Sequence, residues 1–330
     1  GRSSGVRRVI TKELENIGEK WMTDLTSSCP YAGNIISRFP EDLFASENSK
    51  EYLQRVVQGA CVASSKNVII TGLCRNIMPV LKHTVARLRK TGEIFNDYRI
   101  LIYENDSDDG TTQALRKYFE TDTKTTLAQE TTGVRMFEKT RELDRPRYLA
   151  GLRNISFEGV RLLNKFFPAD YILIVDLDLE GGWSYDGICH SFSYDNWSAM
   201  TANGLEYVDA TYVGTDGTTF SEYKPLFYDT WAWRDIDSKM NDVPVSAEVN
   251  EFSFNRGESP VEVNSNFNGL GIYKYDEAID CKFDAIMTDS GSVVNEWAYF
   301  HNEMKKRGSR IFMNPSMIAL YTPTIYSGKY

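Results

Sequence analysis

Short apolar runs alternate with amphipathic stretches along the middle of the chain. The apolar runs are rich in β-branched residues, which indicates buried strands, and the amphipathic stretches have the three- and four-residue spacing of helices. Continuous apolar strands that alternate with helices are typical of a largely parallel sheet covered on both faces, so we predict an α/β fold. The predicted strands cover 68–73, 99–104, 134–137, 171–176 and 310–313, and the predicted helices cover 78–90, 111–119, 148–167 and 293–306.

The two ends of the chain depart from this alternation. Apolar residues between Leu14 and Leu25 recur at helical spacing and predict an amphipathic helix over 11–25. We therefore expect a helical N-terminal arm over 1–65, packed against a main domain over 66–330. Beyond Gly181 the pattern becomes irregular and rich in glycine and aromatic residues.

Composition narrows the class of protein. With 330 residues, 42% of them hydrophobic, the chain can bury a substantial core. A net charge of -9 argues against a nucleic-acid partner, because phosphate backbones are bound by basic surfaces. No apolar run reaches the roughly 20 residues needed to span a bilayer. Five cysteines without metal-ligand spacing are expected to be free thiols: Cys29, Cys61, Cys74, Cys189 and Cys281.

Polar clusters follow three of the predicted strands. Arg75 follows the first strand, residues 104–111 follow the second, and Asp176 and Asp178 follow the fourth. Because ligands of parallel sheets gather at the carboxyl ends of the strands, we expect these clusters to meet at one edge.

The second cluster contains two kinds of residue. Asp108, Asp109 and Thr111 are expected to form a turn and a helix start, because Asn, Asp, Ser and Gly favour these positions. Glu104 and Asp106 lie nearest the strand end and are candidates for contacts with a ribose or a base.

Asp176 and Asp178 are candidate metal ligands. An Asp-x-Asp triplet alone is also compatible with an ordinary loop after a strand. At a strand end, however, two carboxylates one residue apart can face the same side and offer oxygen ligands to Mn²⁺ or Mg²⁺. A diphosphate would complete the coordination, and the metal would stabilise the charge on a leaving nucleoside diphosphate.

These segments resemble glycosyltransferases of the GT-A (Rossmann-like) fold. Residues 104–111 look like the first nucleotide-binding segment of that fold, and residues 176–178 look like its DxD metal motif. Three further segments are similar in order and spacing to the fungal capsule-associated mannosyltransferase group: 148–154, 264–272 and 295–301. The resemblance covers roughly residues 66–315. Where that group often has a cysteine before the glutamate, this chain has Asn295.

The resemblance implies roles for individual residues. Arg75 and Glu104 would line the nucleotide pocket, Asp178 would be the principal metal ligand, and Asp176 would contact ribose or metal. Arg153 would approach the donor, with a solvated helix charge as the alternative. Its guanidinium could otherwise pair bidentately with a phosphate or with an aspartate of the motif. The resemblance also implies a nucleotide-binding half over about 66–180 and an acceptor-binding half over about 181–330.

The last predicted helix carries further candidates. The resemblance raises the alternative that His301 is a late metal ligand, although a lone histidine is more often structural. Glu296 is either a surface charge or the catalytic carboxylate, and Asp289 competes for the second role. A base would be needed if the enzyme inverts configuration at the sugar.

Glycine and tryptophan residues are candidates for the acceptor side. Gly269 and Gly271 would let the backbone approach a sugar closely, or would form a tight turn. Trp231 and Trp233, and also Trp183, would stack on an acceptor sugar, or would pack in the core.

The leading hypothesis is thus a metal-dependent transfer of a sugar from a UDP- or GDP-linked donor to a hydroxyl of a glycan or glycoconjugate. The alternatives are a nucleotidyltransferase, although residues 72–76 match its glycine-rich basic loop poorly, and a non-catalytic carbohydrate-binding protein with a degenerate transferase fold.

Two N-glycosylation patterns, at Asn105 and Asn154, fall within the site segments, where a glycan would obstruct ligand binding. We therefore expect a cytoplasmic location. A luminal catalytic domain without its anchor is the alternative.

Overall fold

A computed structural model describes residues 46, 49–134 and 141–322 of the chain. Its strands are β1 (Asn67–Cys74), β2 (Asp97–Asn105), β3 (Thr125–Glu130), β4 (Tyr171–Val175), β5 (Gly182–Trp183), β6 (Ala199–Val213), β7 (Thr219–Phe227), β8 (Arg234–Asp235), β9 (Val261–Ser265), β10 (Leu270–Lys274), β11 (Ile286–Met287), β12 (Val293–Val294) and β13 (Ile311–Leu320). Its helices are α1 (Ser49–Ala63), α2 (Leu81–Gly92), α3 (Thr111–Phe119), α4 (Asp144–Asn164), α5 (Tyr185–Ser191), α6 (Ser246–Asn250), α7 (Tyr275–Ala278) and α8 (Glu296–Lys306).

One mixed sheet organises the described residues. Its strand order is β3-β2-β1-β4-β10-β6-β13-β9-β8, with β5 added at β13 and β7 at β6. The first four strands are parallel, and β6 is parallel to β13. Strand β10 runs antiparallel to both of its neighbours, β4 and β6. The predicted α/β fold with a largely parallel central sheet is confirmed.

Apolar side chains cover both faces of the sheet. In β1, Val68 and Ile70 belong to one core cluster and Ile69 belongs to the other, because successive side chains of a strand point to opposite faces. All three are fully buried. Burial on both faces explains why the strand is a continuous apolar run rather than an alternating one.

Two predicted strands differ from the structure. The third parallel strand is β3, at Thr125–Glu130, and not 134–137: Val134 lies outside any strand, and residues 135–137 are not described. As the partly exposed edge of the sheet, β3 has a polar sequence without the apolar run that marks a central strand. The last strand, β13, continues to Leu320 across an irregularity between Asn314 and Ile318, which hid its second half.

The described part of the predicted arm packs on the main domain. Helix α1 lies against α5, while the predicted helix over 11–25 lies outside the described residues. Within the described ranges the cysteines are free thiols, as predicted, at Cys61, Cys74, Cys189 and Cys281. None of the helices in these ranges is long and apolar enough to cross a membrane.

The contact between α1 and α5 gives a stability prediction. A Cβ at Gly59 would lie 1.7 Å from the carbonyl oxygen of Cys189, so Gly59→Ala forces the helices apart. We expect Gly59→Ala to lower the free energy of unfolding by about 1–3 kcal/mol, the usual effect of overpacking. In the matched control Gly151→Ala, the new Cβ meets nothing within 4 Å. That control should gain about 0.5–1 kcal/mol from its helix position. Urea unfolding measures both, and equal effects would contradict the packing of α1.

Candidate functional site

The loops after three parallel strands meet at one edge of the sheet. Strands β1, β2 and β4 lead into Arg75, Asp106 and Asp176. Strand β10 runs in the opposite direction, so the residues that precede it lie at this same edge: the backbone N–H of Asp176 donates to the carbonyl oxygen of Gly269 at 2.9 Å. The predicted meeting of polar segments at the strand ends is therefore present.

The Asp176 carboxylate is held between a cation and a phenol. Its Oδ1 lies 3.6 Å from Nη2 of Arg153, and its Oδ2 accepts a hydrogen bond from the Tyr321 hydroxyl at 3.1 Å. Only 25% of the side chain is exposed. Burial raises the pKa of Asp176 to about 7, against the opposing effect of the Arg153 charge, and the negative charge of Asp178 raises it further.

Arg153 connects Asp176 to a second carboxylate. The Arg153 Nε lies 3.5 Å from Oε1 of Glu296, at the start of α8. The guanidinium also lies over the ring of Trp297, 4.4 Å from its centroid. Bidentate pairing with a phosphate or with an aspartate of the motif was one of the alternatives for Arg153; the structure has one ion-pair contact to Asp176. The guanidinium is thereby fixed in place between two carboxylates.

Asp178 differs from Asp176 in its exposure. Leu177, between them, is 1% exposed and packs in the core, whereas Asp178 is exposed to solvent. The charge of Asp178 is still close enough to raise the pKa of Asp176 and of Cys74. The two aspartates thus present one inner and one outer carboxylate at the same strand end.

A third carboxylate, Asp229, joins this group and was not found from the sequence. Burial raises the pKa of Asp229 to about 6, and the negative charge of Glu296 adds to this effect. Its backbone N–H donates to Oδ1 of Asn268 at 2.9 Å. The neighbouring Tyr228 stacks on Tyr321, with ring centroids 3.6 Å apart. These residues come from the loop after β7 and from the end of β13, which no local pattern connects to Asp176.

Glu104 and Asp106 hold the loops at the other end of the site. Glu104 is 2% exposed and accepts a hydrogen bond from the backbone N–H of Ser107 at 3.0 Å. Asp106 accepts from the Thr132 hydroxyl at 2.5 Å and from the Gly133 backbone N–H at 3.0 Å. These hydrogen bonds hold the pKa of Asp106 well below its usual range. Both carboxylates therefore shape the loops that border the edge.

One nitrogen of the Arg75 side chain makes no hydrogen bond within the described ranges. Its Nη1 donates to the carbonyl oxygen of Val134 at 3.3 Å, but its buried Nε has no partner within the described ranges. The next residue, Asn76, fixes the loop: its side-chain oxygen accepts from the backbone N–H of Asp108 at 2.8 Å, and its own backbone N–H donates to Ser107 Oγ at 3.0 Å.

His301 and Trp233 lie in the core. His301 is fully buried, and its Nδ1 and Nε2 each lie 3.0 Å from a hydroxyl, of Ser265 and Tyr273 respectively. Burial lowers its pKa to about 3, so the ring is neutral and both nitrogens are already hydrogen-bonded. Trp233 is 6% exposed and packs edge-on against Phe227, with centroids 5.4 Å apart.

The remaining candidates are divided between the site and the surface. Gly269 has a φ of +94°, and a Cβ there would lie 2.9 Å from the Tyr321 hydroxyl oxygen, so it borders Asp176. Gly271 lies within β10, where a Cβ would meet the Tyr273 ring.

Trp231 is half-buried, and its Nε1 donates to the carbonyl oxygen of Val293 at 2.7 Å. Asp289 is exposed in the turn between β11 and β12.

One family and several solved structures are similar to this chain. The family described as Cryptococcal mannosyltransferase 1 matches residues 67–303. No curated protein sequence matches.

The mannosyltransferase PcManGT from Pyrobaculum calidifontis in complex with GDP-Man and Mn²⁺ has a TM-score of 0.41 and 11% identity, over 96% of this chain and 68% of that one. GalNAc-T7 with UDP, GalNAc and Mn²⁺ has a TM-score of 0.40 and 9% identity, over 80% and 47%. S. aureus TarS 1-349 in complex with UDP-GlcNAc has a TM-score of 0.40 and 10% identity, over 80% and 61%. These scores are too low for any inference about ligands.

The burial of Asp176 predicts a pH-dependent cost in stability. Its pKa rises from 3.8 to about 7 on folding, so the folded protein keeps a proton that the unfolded chain has lost. The free energy of unfolding should therefore fall as pH rises between these two values. Asp176→Asn removes the buried charge and should stabilise the metal-free protein above pH 7 by about 4 kcal/mol, with little effect near pH 4.

Urea unfolding at about pH 4 and about pH 8 measures this difference. Asp178→Asn is the matched control, because the exposed carboxylate should change stability by no more than about 0.5 kcal/mol. An Asp176→Asn effect that is the same at both pH values would contradict the raised pKa.

Proposed function

Since the chain belongs to the Cryptococcal mannosyltransferase 1 family, whose match covers residues 67–303, we propose that it transfers a sugar from a nucleotide-diphosphate donor to a hydroxyl of a glycan or glycoconjugate. Membership of the family makes the chain a glycosyltransferase. In the proposal a divalent metal assists the transfer. The observation that carries the proposal is the pair of inequivalent carboxylates, Asp176 and Asp178, at the sheet edge where Arg75 and Arg153 also lie.

The residues present suit Mn²⁺ or Mg²⁺ bound together with a diphosphate. Carboxylate oxygens are ligands of the kind that these ions prefer, and Mg²⁺ usually takes one or two of them plus phosphate oxygens. Within the described residues, no group of three or more His, Cys, Asp or Glu side chains is arranged to hold a metal by itself. The donor would therefore supply the missing ligands. The metal would stabilise the negative charge on the leaving nucleoside diphosphate.

Asp178 is the principal metal ligand in this proposal, because it is exposed and free to turn towards an incoming ion. Asp176 is the second ligand or contacts the ribose, and Tyr321 and Arg153 fix its orientation. We do not include His301, since both of its ring nitrogens are engaged within the core.

Arg75 is the first choice for contact with the nucleotide. Its buried Nε has no partner within the described ranges, and a guanidinium is the group that binds phosphate oxygens best. Glu104 and Asp106 act beside it by holding the loops that border the nucleotide. Their oxygens already accept several hydrogen bonds, so they have less capacity for the ligand.

Glu296 is the carboxylate that we assign to the acceptor hydroxyl, as the group that takes its proton. It is 5% exposed and shares Arg153 with Asp176, and this shared contact supports the assignment. Asp289 lies in an exposed turn instead. Of the acceptor-side candidates, Gly269 borders Tyr321, and half-buried Trp231 donates to the carbonyl oxygen of Val293, three residues before Glu296. Trp233 packs on Phe227 in the core.

Removing the outer carboxylate tests the metal assignment. With GDP-mannose, UDP-GlcNAc and UDP-GalNAc as probes and Mn²⁺ present, we expect slow donor hydrolysis that a chelator abolishes. Asp178→Ala should lower that rate about 100-fold or more, because the charge on the leaving group is then unshielded. It should also remove the rise in melting temperature that GDP or UDP with Mn²⁺ gives.

Asp108→Ala is the control for this experiment, since Asp108 is an exposed acid of the loop after β2 and contacts the loop at Asn76 only through its backbone. It should behave like the unaltered protein. Full activity of Asp178→Ala in the presence of Mn²⁺ would exclude the proposed metal site.

A second pair of variants separates the two candidate bases. Glu296→Gln keeps the size of the side chain but removes its basicity, and should lower transfer to acceptor by about 100-fold, within the range usual for general-base catalysis. Asp289→Asn should leave the rate within twofold. The measurement is product formation with donor in excess, and the reverse ranking would assign the role to Asp289.

A further inference from the structure

A cavity of about 440 Å³ lies on the far side of β6 from the carboxylate group. A Cβ at Gly204 would point at the Asn268 side chain, 2.2 Å from its Oδ1, so this face of β6 is turned towards Asn268 and Asp229. The neighbours Asn203 and Leu205 point to the opposite face, because side chains alternate along a strand. Both line the cavity, together with residues of β7 and of the loop 250–256.

Asn203 offers the cavity an unused hydrogen-bond acceptor. Its side chain is 1% exposed, and its Nδ2 lies 3.3 Å from the carbonyl oxygen of Pro315 and 3.5 Å from that of Phe254. Its Oδ1 has no partner in the part of the chain that the structure describes. Buried polar atoms almost always have a partner, and this unpartnered oxygen belongs to a residue that lines the cavity.

The lining has the chemistry of a site for a neutral polyol. The rings of Phe252 and Phe254 supply apolar faces. The Nδ2 atoms of Asn203, Asn250 and Asn255 already donate within the protein, so these side chains contribute mainly their oxygens, as acceptors. The aromatic rings are fixed, because Phe252 packs on Trp233 with centroids 5.2 Å apart.

Charges in the lining are balanced. The lining contains one lysine and one glutamate, Lys224 and Glu251, and the guanidinium of Arg256 lies 3.3 Å from the Asp186 carboxylate. A phosphate or a polyanion would need cations that are not already compensated. The cavity therefore selects a neutral saccharide over an acidic one.

The strand that forms the back of the cavity also supports the proposed reaction site. The carbonyl oxygen of Leu205 accepts the backbone N–H of Tyr321 at 2.9 Å, and that of Gly204 accepts the backbone N–H of Tyr228 at 3.0 Å. Tyr321 in turn holds Asp176. A glycan bound in the cavity thus lies one strand away from the residues that stack beside the carboxylates.

We propose that this cavity is a subsite for a neutral glycan, which binds sugar units of the acceptor that are remote from the reacting hydroxyl. The assignment of the glycan as acceptor rests on the proposed function; saccharide binding itself does not.

A blocking substitution with a matched control tests the proposal. Ser253→Trp places a large ring at an exposed lining position, and Ser259→Trp makes the same change at an exposed position of the same segment that does not line the cavity. The probes are the methyl glycosides of mannose, galactose, glucose and xylose, and methyl glucuronide, observed by saturation-transfer NMR. Binding of GDP and UDP with Mn²⁺ is measured in parallel.

We expect at least one neutral glycoside to bind the unaltered protein and Ser259→Trp, and to bind Ser253→Trp at least about 10-fold more weakly, a loss on the scale of a blocked contact. Nucleotide binding should be equal in all three. Asn255→Trp, at a second exposed lining position, should repeat the loss and serves if Ser253→Trp does not fold.

Three results would overturn the proposal: no neutral glycoside binds, binding survives both lining variants, or methyl glucuronide binds better than the neutral glycosides. Failure of the proposed function has a different signature. In that case no nucleotide binds with Mn²⁺, while the loss of glycoside binding in Ser253→Trp persists.

Discussion

The largely buried carboxylate of Asp176 is the group on which the rest of the site depends. A charge in this position is costly, and Arg153 and Tyr321 offset only part of the cost, since the pKa of Asp176 is still raised to about 7. Arg153 is in turn fixed by Glu296 and by the ring of Trp297, and Tyr321 is fixed by stacking on Tyr228. Segments far apart in the chain are thereby oriented around one oxygen pair. A bound cation would relieve part of that cost. The free energy that the buried charge costs in the metal-free protein would then be partly recovered when the cation binds.

The sheet brings these segments together. Strands β1, β2 and β4 are parallel, so the loops that follow them meet at one edge, and the reversal at β10 brings the preceding Asn268 and Gly269 to the same place. The positive φ of both residues forms the tight turn into β10. This turn lets the Gly269 carbonyl accept the backbone N–H of Asp176 and lets the Asn268 amide accept that of Asp229.

The sequence predicted the parts of this arrangement that rest on local pattern. Strands buried on both faces are continuous apolar runs, so β1, β2 and β4 were recognisable, and with them the position of Asp176 and Asp178 at a shared edge. Strand β3 was not, because an edge strand needs no apolar run. Tyr321 and Asp229 were missed because they reach the site only through tertiary pairing of β13, β6 and β7. For His301 the spacing could not show that Ser265 and Tyr273 occupy both of its nitrogens.

In the proposed function Asp178, with Asp176, binds a divalent cation together with a nucleoside diphosphate. Anomalous scattering from crystals grown with Mn²⁺ and GDP or UDP locates such an ion without reference to activity. We expect one strong peak about 2.0–2.3 Å from an Asp178 carboxylate oxygen, the usual distance for a hard cation, with diphosphate oxygens completing its shell. A nucleotide bound at the sheet edge with no peak near Asp178, or a peak coordinated by other residues, would contradict this proposal.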